Sequence, residues 1–145
     1  MRVDWAVTCR YAESDGAMGT IVGAGTDVLY VPGFPQPVAI MLAVRLAAAP
    51  EEILEGQAHE LVVRVEAPGG GAVFTADGSE APPLTATFQA ADPTAQPLVP
   101  GWLMSPLFAL VVQWLAPEQG TYTLVVSAGD SDPSRSPVHV LPALA

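Results

Sequence analysis

The side chains able to act as a nucleophile, a general base or a soft metal ligand are few: Cys9, His59 and His139. A reactive thiol needs a basic, accessible setting, and a nucleophile needs a base within hydrogen-bond reach. Cys9 falls on the apolar side of the run Val3, Trp5, Val7, Cys9 and Tyr11, with Asp4, Thr8 and Arg10 on the other side. That position predicts a small buried hydrophobe. His59 precedes Glu60, His139 sits between two valines, and no local pair has the spacing of zinc ligands. The expectation is therefore no catalytic residue, no metal site and no cofactor.

The carboxylates are more numerous. Asp15, Asp77, Asp92, Asp130 and Asp132 all fall in expected loops, and loop aspartates gathered at one end of a β-fold can hold calcium. Asp130-Ser131-Asp132 runs into Pro133 and does not continue as an EF-hand loop. Acidic turn residues keeping a chain soluble explain the same pattern. No pair of acids stands out for glycosidase chemistry. Gly23-Ala24-Gly25 invites a dinucleotide-binding reading, but Val28 stands where the third glycine belongs. The residues that follow, Leu29-Tyr30-Val31-Pro32, do not open a helix, so a bulge or close backbone contact is expected instead.

Charge removes two classes of partner. The chain carries fifteen acidic residues against five arginines and no lysine, a formal net charge of −10. Phosphate neutralisation drives nucleic-acid affinity, and an anionic membrane surface repels a polyanion. No nucleic-acid and no membrane partner is expected. A single cysteine and a start without an apolar leader lead to the expectation of a cytoplasmic protein. Residues 93–117 are free of charge, yet prolines interrupt them and leave an apolar run much shorter than the roughly 20 residues a spanning helix needs.

These residues must be positioned by strands, because most of the chain alternates with period two. Val38, Ile40, Leu42, Val44 and Leu46 define one strand; Leu61, Val63 and Val65 another; Leu84, Ala86 and Phe88 a third; Tyr122, Leu124 and Val126 a fourth. With residues 3–11, 20–30, 107–115 and 138–141 this gives about eight strands. The fifteen prolines fall between strands or at their first residues, and residues 50–56 have the punctuation of one helical turn. No repeat or linker divides the 145 residues. The expected fold is all-β, a single domain over 1–145, an antiparallel β-sandwich of immunoglobulin-like or C2-like type.

In Pro117-Glu118-Gln119-Gly120-Thr121-Tyr122 a tyrosine enters a strand just after a glycine turn. In several sandwich folds such a tyrosine bonds back to the turn and pins the corner. Together with Arg10-Tyr11-Ala12-Glu13, residues 21–27 and the turn Pro32-Gly33-Phe34-Pro35, the chain resembles an uncharacterised bacterial family known only as a domain of unknown function. The resemblance implies a small β-sandwich over nearly the whole chain and implies no activity.

The run 107–115 departs from alternation because it is apolar on both faces. If Phe108, Leu110, Val112 and Trp114 face the core, then Leu107, Val111 and Leu115 face outward, with Met41 on the outer side of the neighbouring long strand. Phe34 and Trp102 stand in Gly/Pro-rich loops as further candidates. An exposed apolar patch marks a contact surface unless the chain covers it. The expected function is a non-enzymatic protein-interaction or assembly module, binding a protein partner or a second copy through Met41, Leu107, Val111, Leu115, Phe34 and Trp102. The alternatives are a small-molecule or carbohydrate-binding sandwich using Trp5, Trp102 or Trp114, and a calcium-dependent C2-like module.

Overall fold

A computed structural model describes residues 1–15, 19–49, 58–89 and 105–144. They form ten strands: β1 (Arg2–Cys9), β2 (Tyr11–Ser14), β3 (Gly19–Val22), β4 (Val28–Val31), β5 (Gln36–Ala47), β6 (His59–Glu66), β7 (Leu84–Phe88), β8 (Leu107–Ala116), β9 (Gly120–Ala128) and β10 (Ser134–Pro142). These make a three-stranded sheet β1-β5-β8, a five-stranded sheet β4-β10-β9-β6-β7 and a two-stranded sheet β2-β3. The protein is all-β, with no helix among the described residues. The described residues give ten strands in three sheets, where about eight strands in one sandwich were expected. The expected strands 3–11 and 20–30 each divide in two, and β4 pairs with β10 in parallel, so the larger sheet is mixed. Residues 32–133 separate β4 from β10, so no tight hairpin forces them antiparallel. The expected helical turn at 50–56 lies outside the described residues.

The two larger sheets share one core. Leu42, Val44 and Leu46 of β5, Leu61 and Val63 of β6, Tyr122, Leu124 and Val126 of β9, and Val138 and Val140 of β10 are all buried in a single cluster. Cross-strand pairing makes the faces explicit, since directly paired residues point the same way. Val44 pairs with Phe108, Leu42 with Leu110, Ile40 with Val112 and Val38 with Trp114, all toward the core. Ala43 pairs with Ala109, Met41 with Val111 and Pro37 with Leu115, all on the opposite face. The parity read from residues 107–115 is the observed one.

The first run breaks its expected parity. A register shift between Val3 and Trp5 turns Val3 and Ala6 toward the main core and sends Trp5, Val7 and Cys9 to the other side. One extra residue in a strand reverses every later side chain. There they join Met41, Ala43 and Ala109 in a second, smaller cluster. The chain then bends at Arg10, and β2 with β3 covers part of that cluster through Ala12 and Ile21. The break at 23–27 is a turn in which Gly23 and Gly25 have φ of 66° and 80° and the Gly25 N–H bonds the Thr8 carbonyl at 2.8 Å. Glycine adopts that backbone without steric cost, and β4, not a helix, follows.

The tyrosine corner is present. Tyr122 is fully buried, and its Oη donates to the Glu118 carbonyl at 2.9 Å.

Candidate functional site

The residues first considered for chemistry do not meet. Cys9 is buried in the second cluster, where its Sγ lies 3.7 Å from the Met41 carbonyl and burial pushes the thiol pKa up. His59 lies in β6 with its ring centroid 5.6 Å from that of Phe88. Its Nε2 is buried without a hydrogen-bond partner, as is Nε1 of Trp114. His139 lies in β10, with Nδ1 3.0 Å from the Thr121 hydroxyl. Among the described residues no group of three His, Cys, Asp or Glu side chains comes close enough to hold a metal ion. Asp92 lies outside the described residues. An open depression of about 290 Å³ is lined by Met1, His59, Glu60 and Asp130 among others, and a second of about 500 Å³ by Glu13, Ser14, Asp15, Gly19 and Thr20.

Asp77 serves its own turn. Its Oδ1 accepts from the Thr75 hydroxyl at 2.5 Å, the Ser79 N–H at 3.0 Å and the Ser79 hydroxyl at 2.7 Å. Led by the Thr75 bond, these hold its pKa at about 2, below the usual 3.8. A depressed carboxylate stabilises the fold above its unfolded pKa, and that contribution is lost as pH falls from 3.8 toward 2. A carboxyl-detected NMR titration should give Asp77 a midpoint near 2, rising toward 3.8 in Thr75→Val. A wild-type midpoint already at 3.8 would show that the turn does not hold the ionised form.

The outer face of the β1-β5-β8 sheet remains. The β2-β3 hairpin covers one end: Gly19 packs on Leu107, and the Ser14 hydroxyl donates to the Leu107 carbonyl at 2.7 Å. Beyond it Val111 is 49% exposed, beside half-buried Met41 and Leu115 and exposed Pro37, Ala39 and Gln113. Phe34 does not join this face; it packs against the main core from the turn before β5. Trp102 lies outside the described residues. Trp114 is buried against Tyr122 in the main core, and half-buried Trp5 packs against the second cluster.

The same strand is also an edge. Its even-numbered residues pair toward β5, as the Leu46 N–H to Pro106 carbonyl bond at 3.0 Å shows at one end. Its odd-numbered residues therefore direct N–H and C=O away from β5. The Leu107 carbonyl is taken by Ser14, and the Leu115 N–H donates to the Phe74 carbonyl at 2.9 Å. Between those caps Ala109, Val111 and Gln113 have no backbone partner on that side among the described residues. Other edges are guarded. β1 carries Arg2, Asp4 and a bulge, β4 has four residues before Pro32, and β7 has five. β8 runs ten residues without a charge or a proline. Long apolar edges of that kind pair with other strands.

Ser14, Phe74, Ala109 and Gln113 escape the sequence reading. The uncharged run 107–116 was the available signal, but only the topology reveals that it lies at an edge.

The chain belongs to a family of unknown function, DUF6941, whose model matches residues 4–141. The resemblance to a family of unknown function, read from residues 10–13, 21–27, 32–35 and 120–122, is borne out at the level of the family. No curated protein and no solved structure matches the chain.

Proposed function

We propose that this protein is a non-enzymatic interaction module that binds another protein through the outer face of the β1-β5-β8 sheet. Val111 carries the reading: it is 49% exposed in the middle of an uncharged strand, flanked by Met41 and Leu115. Apolar residues in such a face gain free energy when a partner removes them from water, at roughly 25 cal/mol per Å² before the costs of association. Leu107 lies under the hairpin, so it supports the face more than it lines it. The two larger sheets enclosing one core support a sandwich-type scaffold for this face.

A photo-crosslinking residue at position 111 should capture a discrete protein adduct in cells. The same residue at position 123, on the Thr-bearing outer side of the other sheet, should not. Equal labelling from both positions, or none from 111, would remove the reading.

A further inference from the structure

We propose, building on that reading, that the β8 edge is a slot for an extended peptide of another protein, with a short uncharged apolar centre and Lys or Arg on both flanks. A row of N–H and C=O groups open along a strand edge is matched along its length by another extended backbone. The Ser14 and Phe74 caps confine the open stretch to residues 109–113, about 17 Å at strand rise. Alternate guest side chains would lie on the face shared by Val111 and Met41.

Charge specifies the flanks. At one end Glu13 and Asp15 adjoin Ser14 in sequence. At the other, Glu80 bridges to Phe74, Asp77 lies in the same turn, and Glu118 follows β8. All of these acids are exposed. On the face itself, Arg45 of β5 is already engaged by Asp4 at 3.6 Å. An apolar centre between acidic ends fits a guest with cationic ends.

A second copy of this chain fits poorly. Antiparallel pairing about Val111 would put the copy's Leu107 where Phe74 already pairs with Leu115, and would lay acidic end on acidic end. At −10 per chain, the approach is itself unfavourable.

The probe is a synthetic peptide, Arg-Arg-Val-Thr-Val-Thr-Val-Arg-Arg, added to the full chain with binding and amide hydrogen exchange followed by NMR. It should protect the Ala109, Val111 and Gln113 amides. N-methylation of the guest amides that face β8 should weaken binding by about tenfold or more. Glu flanks should weaken it by about tenfold at low salt, with the gap shrinking as salt rises. Val111→Pro removes an outward N–H without touching the β5 ladder and should also cost about tenfold in binding. Val111→Lys, a guarded edge, provides the same block if the proline variant fails to fold.

Absent binding, binding indifferent to N-methylation, or protection of other strands would overturn the slot. So would protection at residues 109–113 that grows with protein concentration alone, the mark of a second copy. If crosslinking from position 111 succeeds while the peptide fails, the slot falls and the interaction reading stands. If both fail, both fall.

Discussion

Tyr122→Phe should lower the unfolding free energy by about 1–2 kcal/mol, and Tyr122→Ala by about 3–5 kcal/mol, in equilibrium denaturation. The phenylalanine variant isolates the hydroxyl. It leaves the ring against Trp114, at 5.6 Å between centroids, and removes the bond to the Glu118 carbonyl that closes the turn before β9. Burial raises the phenol pKa, so the hydroxyl stays a neutral donor through ordinary pH. The alanine variant also empties a fully buried aromatic site at the centre of the main core. β9 lies between β6 and β10, so slack at its start reaches both neighbours. If the phenylalanine variant matched wild type within about 0.5 kcal/mol, water would be replacing the bond and the corner would pin nothing.

That corner was legible in the sequence because its parts are local. A glycine, a turn and a tyrosine at fixed spacing suffice, and the observed acceptor is four residues back at Glu118. The inward sets of β5, β6, β8 and β9 were legible for a similar reason. Each inward set recurs at every second residue without a break, and core burial enforces one register. The opening strand was not, because nothing at Asp4 announces a bulge. Trp5, Val7 and Cys9 are as apolar as Val3, so sequence parity could not show that they serve a second cluster on the far side of the sheet. Phe34 was misplaced for lack of long-range information. Its Gly/Pro-rich surroundings say loop, and only the fold brings that loop onto the main core.

The binding face was half legible. Apolar residues on both sides of residues 107–115 announce a strand covered on both sides or open to a partner, and β8 is both. One end of its outer face lies under β2-β3, whereas Val111 is open. Edge position is a property of strand order, which pairs β8 with β5 alone in its sheet. The division between covered and open therefore depends on where the hairpin stops, and Gly19 decides that.

Gly19→Ala should destabilise the protein by about 1–3 kcal/mol and loosen β2-β3 selectively. An added Cβ would stand 2.6 Å from the Glu13 carbonyl oxygen and 2.4 Å from Cδ2 of Leu107. The leucine tip can rotate away, but the carbonyl belongs to the paired strand of the hairpin and can yield only if β2 and β3 separate. Their separation would lift Ala12 and Ile21 off Ala43 and Ala109 and strain the Ser14 bond that caps Leu107. Hydrogen exchange should then accelerate in β2 and β3 while β6 and β9, remote from the hairpin, keep their protection. The binding face should lengthen toward Leu107, so a crosslinker at position 107 should gain adducts that wild type lacks. Unchanged exchange in β2 and β3 would mean that the hairpin absorbs a methyl group at Gly19. The open stretch of β8 would then be bounded by something other than this contact.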